Sequence, residues 1–164
     1  MNTQTVSVSP AREREIATLA ERIALRAFSA GRVEPEQIAL REGISFCYSS
    51  FAEEWDGVLA HSDGKFFIFC NERRSRRGAP RSRFTFAHEL GHYFIPDHRR
   101  AVMAGKCGAR YRRLEFAWDP TFEKEADLFA ANLLMPATLF RASAAEGVLD
   151  LRRISALATE YGVS

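Results

Sequence analysis

The segment His88-Glu89-Leu90-Gly91-His92 constrains the fold and the chemistry of this chain more than any other. It lies within a mostly apolar run from Phe84 to Phe94 that Pro96 closes, which predicts a buried helix. On a helix, the four-residue spacing puts both imidazoles on one face, one turn apart, where they can share a zinc ion. Burying two histidines and a carboxylate without partners would cost roughly several kcal/mol, so a metal ion is the partner that this segment predicts.

A catalytic zinc site needs a third protein ligand and keeps a fourth position for water. The helix predicted over residues 120–135 offers two carboxylates, Glu123 and Glu125. On a helical wheel, Glu123 lies at the edge of the apolar face, whereas Glu125 lies on the polar side. Glu123 is therefore the predicted ligand and Glu125 the alternative. The predicted ligands of one zinc ion per chain are His88, His92 and Glu123.

The residues around these ligands predict metal-assisted hydrolysis. Glu89 would act as general base, taking a proton from water and handing it to the leaving amine. Asp127, one turn beyond the third ligand, is placed to accept a hydrogen bond from a ligand imidazole and fix its tautomer. His98 and Tyr111 lie in a predicted long loop over residues 97–118 and are candidates for stabilising the oxyanion. The alternative is that both are ordinary surface residues.

Charge is nearly balanced along the chain, with 23 basic and 21 acidic residues and a net charge of +2. Bulk charge therefore does not predict binding to nucleic acid, which is not favoured. Six arginines nevertheless fall within residues 73–83, where Gly78 and Pro80 predict a loop. This basic loop is either a solvated connector or a surface that steers an acidic partner or nucleic acid. The candidate partner-binding residues are Arg73, Arg74, Arg76 and Arg77.

The length of 164 residues and the hydrophobic fraction of 46% fit a globular domain with a core. Ser9-Pro10 begins an amphipathic helix over residues 11–29, and a short helix follows from Pro35 to Gly43. Alternating residues predict a strand over 44–48 and a hairpin over 58–70. The predicted fold class is α+β, with a small, mostly antiparallel sheet and a hairpin packed on helices that carry a zincin-like His-Glu-x-x-His site.

The chain divides into an N-terminal helix (1–30), a zinc-binding domain (31–147) and a C-terminal helix (148–164). The last helix either begins a truncated helix-turn-helix or packs on the domain through Ile154, Leu157 and Tyr161. No long apolar stretch or export signal occurs, and the three cysteines lie far apart. We therefore expect a cytoplasmic protein without a membrane partner.

Two segments carry a resemblance to a known family. Residues 83–92 read RFTFAHELGH and residues 123–136 read EKEADLFAANLLMP, and together they resemble the ImmA/IrrE family of bacterial and phage zinc metallopeptidases. The similarity extends more loosely over residues 30–147. In that family the two histidines and a glutamate matching Glu123 bind zinc, and Asp127 falls at the matching acidic position.

The resemblance implies a function as well as a site. It implies cleavage of a helix-turn-helix repressor encoded nearby, which switches on mobile-element, stress or DNA-damage genes. Some relatives are instead partners in toxin and antitoxin modules. A metal-stabilised scaffold that binds a repressor or DNA without cutting is the main alternative to a narrow-specificity endopeptidase. The intact Glu89 favours the enzyme, because a structural zinc has no use for a base.

Overall fold

A computed structural model describes residues 7–29, 31–105, 120–146, 148 and 150–164. Within these residues the chain forms seven helices and five strands. The helices are α1 (Pro10–Ala27), α2 (Pro35–Arg41), α3 (Pro80–Phe94), α4 (Pro96–Met103), α5 (Pro120–Leu134), α6 (Ala137–Ala144) and α7 (Leu151–Tyr161). The strands are β1 (Phe28–Ser29), β2 (Arg32–Val33), β3 (Ser45–Ser49), β4 (Gly57–Ser62) and β5 (Lys65–Asn71). The α+β fold class is confirmed.

The predicted hairpin is confirmed as the antiparallel pair β4 and β5. Asp63 and Gly64 connect the strands with φ angles of 50° and 74°, the positive values that a two-residue hairpin turn requires. Strand β3 pairs in parallel with β5, so the strand order is β3-β5-β4. The sheet is therefore mixed. Alternation predicts that a strand exists, but it does not give the direction of the neighbouring strand.

Two predicted loops contain the beginnings of helices, and both errors have the same cause. Pro80 and Pro96 occupy the first turns of α3 and α4, where a helix does not use the N–H that proline lacks. Arg81 and Arg83 consequently belong to α3 rather than to the basic loop. Residues 97–103 are helical as well, and the rest of that predicted loop from 106 onward lies outside the described residues.

The N-terminal helix begins as predicted and ends earlier. The Ser9 side chain accepts a hydrogen bond from the backbone N–H of Arg12 and caps α1. The helix ends at Ala27, because residues 28–29 leave it to pair with β2 in a short antiparallel ribbon. The buried side of α1 packs on α5, which in turn packs on α3. Within the described ranges, the length and hydropathy of every helix fall short of what a bilayer-spanning segment requires.

The C-terminal helix α7 packs on the rest of the fold, as one of the two interpretations predicts. Leu157 and Tyr161 are buried, whereas Ile154 is 49% exposed and does not take the packing role expected of it. Asp150 caps the first turn and Gly162 ends the helix with a φ of 64°.

Arg83 is buried where α7 ends. Its guanidinium donates to the Glu34 carboxylate and to the Val33 carbonyl, both at 2.6 Å. A Cβ at position 162 would lie 2.8 Å from Arg83 Nε, so the glycine that ends α7 also makes room for this arginine. Arg83 is therefore a structural residue and not part of an exposed basic surface.

Candidate metal centre

The two histidines of the His-Glu-x-x-His segment face each other on α3. Their Nε2 atoms are 3.0 Å apart. The side chain of His92 is 1% exposed and that of His88 is 14% exposed, so both rings lie largely below the surface. The helical spacing predicted from the sequence thus brings the imidazole nitrogens together.

Glu123 completes the cluster from α5. Its carboxylate oxygens lie 3.4 Å from His88 Nε2 and 3.6 Å from His92 Nε2. Within the described ranges, the group of acidic, histidine or cysteine side chains arranged to hold a metal ion consists of these three residues. The structure therefore brings together the three ligands predicted from the sequence.

The donor set fits a divalent transition metal such as zinc. A tetrahedral ion with bonds of about 2.0–2.2 Å separates its ligand atoms by roughly 3.3–3.6 Å, close to the three distances observed. Asp127 Oδ1 lies 2.9 Å from His88 Nδ1, so that nitrogen carries a proton and Nε2 is the nitrogen that faces the cluster and would bind a metal ion. Asp127 therefore takes the position predicted for it behind a ligand imidazole.

In the protein without metal, hydrogen bonds and charge interactions join His88, His92 and Glu123. Burial opposes a charge on His88, but hydrogen bonds with Asp127 and Glu123 outweigh it and raise the pKa of His88 to about 10. Burial likewise opposes a charge on Glu123, but hydrogen bonds with the two histidines lower the pKa of this carboxyl to about 2. A cation is thus strongly favoured at this point, and a proton takes that role when no metal is bound.

Glu89 is placed beside the ligands and outside the ligand set. The side chain is buried, and its carboxylate accepts a hydrogen bond from the backbone N–H of Leu59 on β4. A Cβ at position 57 would lie 3.0 Å from Glu89 Oε1, so Gly57 lets β4 approach the carboxylate closely. Burial raises the pKa of Glu89 above its usual value. These are the properties of a proton-transfer group rather than of a surface glutamate.

The predictions that His98 lies in a loop and that Glu125 lies on a polar helix face are both wrong. His98 is fully buried on α4, with its two ring nitrogens 3.1 Å from His92 and 3.1 Å from Glu125. Both nitrogens are engaged behind His92, so the structure does not bring His98 to the place of an oxyanion donor. Burial, together with the neighbouring His92, lowers the pKa of His98 to about 4, and the ring is neutral at pH 7.

Glu125 is 5% exposed and does not lie on a solvated face. Its carboxylate is 2.8 Å from the guanidinium of Arg12, which extends from α1. This ion pair and the hydrogen bond with His98 offset the cost of burying the charge. Tyr111, the other candidate for the oxyanion, lies outside the described residues.

The arginine-rich segment borders the Glu89 side of the cluster. Arg74 and Arg81 donate to the Asp56 carboxylate at 3.1 and 2.8 Å, which fixes the segment beside Gly57. Arg77 lies over the Tyr48 ring, 4.8 Å from its centre. Five arginines between residues 73 and 83 are exposed, and four of them, Arg73, Arg74, Arg76 and Arg77, are the candidate partner-binding residues. Their role in partner binding stays a prediction.

Comparison with known proteins agrees with this geometry. The model of a peptidase family, M78, described as the IrrE N-terminal-like domain, matches residues 39–164. No curated protein is significantly similar to the chain. The matched range contains the two histidines, Glu89 and Glu123, so the resemblance to the ImmA/IrrE family is confirmed. Helix α1 precedes the matched range. The chain therefore belongs to peptidase family M78, the metallopeptidases of the ImmA/IrrE type.

Proposed function

We propose that this protein is a zinc-dependent endopeptidase of narrow specificity whose substrate is a helix-turn-helix transcriptional repressor. The observation that carries the catalytic part is Glu89, a buried carboxylate beside the three candidate ligands. Such a group would have no use in a purely structural metal site. Membership of a peptidase family supports the same interpretation.

The site residues divide the work of peptide hydrolysis. His88, His92 and Glu123 would hold one zinc ion, which supplies Lewis-acid activation of water and of the scissile carbonyl when bound. Glu89 takes the proton of the attacking water at its carboxylate and returns it to the leaving amine. Burial raises the pKa of Glu89, which makes its carboxylate a stronger acceptor for the proton of water. The Leu59 N–H holds the carboxylate in one orientation.

The proposed selectivity for one protein substrate depends on exposed arginines near the metal centre. Exposed arginines border the Glu89 side of the cluster, and within the described part of the chain the guanidinium groups of Arg73 and Arg76 form no ion pair. An acidic surface on a folded partner would pair with them and add binding energy remote from the cleaved bond. A repressor in the cytoplasm, cleaved in a stress, DNA-damage or mobile-element response, is the partner that the family resemblance implies.

The experiment offers the zinc-loaded protein two kinds of substrate. One is the repressor encoded beside its gene, and the other is casein as an unfolded general substrate. We expect one cut in the repressor, loss of cleavage with a chelator, and casein left essentially intact. A triple variant, Arg73→Gln, Arg76→Gln and Arg77→Gln, should slow cleavage of the repressor.

A matched triple variant controls for net charge. Arg14→Gln, Arg22→Gln and Arg26→Gln remove the same charge from exposed positions of α1 and should leave the rate unchanged. Efficient digestion of casein, or equal rates for both triple variants, would contradict the narrow specificity. Tight binding of the repressor without any cut would favour the scaffold, and a steep salt dependence of binding to arbitrary duplex DNA would favour a nucleic-acid partner.

A further inference from the structure

A buried chain of hydrogen bonds leads from His92 to the N-terminal helix. His92 Nδ1 lies 3.1 Å from His98 Nδ1, and His98 Nε2 lies 3.1 Å from Glu125 Oε2. Arg12 closes the chain by donating to the same oxygen from Nη2 at 2.8 Å and from Nε at 3.1 Å. Residues from α3, α4, α5 and α1 are thus linked behind one candidate ligand.

The donors and acceptors of this chain can be assigned in one direction. Glu125 accepts from Arg12, which has donors only, and it accepts from His98 as well, so His98 carries its proton on Nε2. His98 Nδ1 is then an acceptor, and the proton between the two rings belongs to His92 Nδ1. With Nδ1 protonated, the neutral His92 ring presents the lone pair of Nε2 to His88 and Glu123, as a metal ligand must.

The burial of His92, His98 and Glu125 supports this assignment of donors and acceptors. His92 is 1% exposed, His98 is 0% exposed and Glu125 is 5% exposed, so water is not available to replace a lost partner. His88 differs, because its orienting partner Asp127 has a side chain that is 58% exposed. The two histidines are therefore held in different ways, one by an exposed carboxylate and the other by a buried relay.

The relay also reaches beyond the family domain. Arg12 belongs to α1, which precedes the matched range of residues 39–164. The Arg12 side chain is 21% exposed, and its guanidinium forms ion pairs with Asp97 of α4 and with Glu125. The N-terminal helix therefore supplies the charge that permits a buried carboxylate behind the metal centre.

We propose that His98 and Glu125, anchored by Arg12 of α1, are positioning residues that hold His92 in its Nε2-ligating tautomer. This inference rests on the metal-binding part of the proposed function, in which His92 is a ligand. Metal affinity should fall when the relay is broken, and it should survive a replacement that keeps both the acceptor and the donor of His98.

The test compares two variants of the full chain, His98→Leu and His98→Gln. A glutamine offers an acceptor oxygen and a donor nitrogen at nearly the spacing of the two ring nitrogens, whereas leucine offers neither. Zinc affinity is measured by competition with a chelator, and the ligand field is followed by the absorption of the cobalt-loaded protein. We expect His98→Leu to weaken affinity by about 10- to 100-fold and His98→Gln to recover most of it.

A second pair of variants tests the α1 anchor. Arg12→Met leaves Glu125 buried without its cation and should weaken zinc affinity by roughly 3- to 10-fold. Arg14→Met, at an exposed position on the same helix, should not. Thermal melting without metal identifies any variant that fails to fold, and the Arg12 pair decides the question if His98→Leu does so.

The relay also predicts proton positions that a merely structural contact would not. Long-range proton–nitrogen NMR spectra of the zinc-loaded protein should show His92 protonated on Nδ1 and His98 on Nε2. Three results would overturn the proposal. They are a proton on Nδ1 of His98, a zinc affinity of His98→Leu equal to that of the wild type, and zinc affinities of His98→Leu and His98→Gln that are equally weak. Absence of repressor cleavage with zinc affinity intact would overturn only the proposed function, whereas a wild-type protein that binds no zinc would overturn both.

Discussion

Gly91 of α3 lies so close to Ala126 of α5 that a Cβ at position 91 would come within 3.2 Å of the Ala126 Cα. Gly91 immediately precedes His92, and Ala126 immediately precedes Asp127. The close contact of the two helix backbones therefore sets the distance between the histidines on α3 and the carboxylates on α5.

Replacing Gly91 with alanine should weaken the metal centre. Alanine favours a helix by about 1 kcal/mol over glycine, but its methyl group would force the two helices apart by a few tenths of an ångström. We expect zinc affinity to fall by roughly 3- to 10-fold, since donor positions this close to the metal tolerate little displacement. Chelator competition measures the effect, and an unchanged affinity would show that the helix contact does not set the ligand distances.

The three carboxylates of α5 should differ in their effect on zinc binding. Glu123→Ala removes a ligand and should weaken affinity most. Asp127→Ala and Glu125→Ala remove groups that act through His88 and through His98, and each should weaken affinity by about 10- to 100-fold. Zinc content after dialysis against graded chelator gives the order. If Glu125→Ala loses zinc more readily than Glu123→Ala, the assignment of the third ligand is wrong.

The ion pair between buried Arg83 and partly exposed Glu34 should make the stability of the fold depend on pH in the acid range. Burial of the Glu34 carboxyl opposes its charge, but hydrogen bonds from Arg83 and Arg32 outweigh this and hold its pKa below the usual value of 4.5. The stabilisation is therefore present above pH 4.5 and is lost as the pH falls through the lowered pKa.

Glu34→Gln should accordingly lower the free energy of unfolding at neutral pH. The effect should be smaller in acid, at a pH where the Glu34 carboxyl is protonated in both the folded and the unfolded protein. Denaturant unfolding at the two pH values measures the difference, and Glu13→Gln at an exposed position of α1 serves as the control. An equal loss of stability at both pH values would show that the charge of Glu34 does not contribute.

Sequence patterns predicted the parts of the fold that depend on local spacing. The four-residue separation of His88 and His92 and the Asp-Gly turn of the hairpin are signals of this kind, and the structure has both features. Glu123 joins the cluster as predicted, but the reasoning about Glu125 failed. A helical wheel gives the angle of a side chain, and it does not show that Arg12 will cover that face and permit a buried carboxylate.

The buried position of His98 and the parallel pairing of β3 with β5 were not predicted, for a related reason. Pro96 was a signal both for the end of α3 and for the first turn of α4, and only the second places His98 inside the protein. The histidine partners and the strand neighbours come from residues distant in the sequence, so spacing along the chain alone did not contain them.

The metal content and the cleavage rate of Glu89→Gln, measured on the same preparation, test the central claim most directly. The amide leaves His88, His92 and Glu123 in place but cannot take the proton of water. The account predicts one zinc ion per chain, as in the wild type, with cleavage of the repressor reduced by about 10²- to 10⁴-fold. Loss of the zinc ion, or cleavage at the wild-type rate, would contradict it.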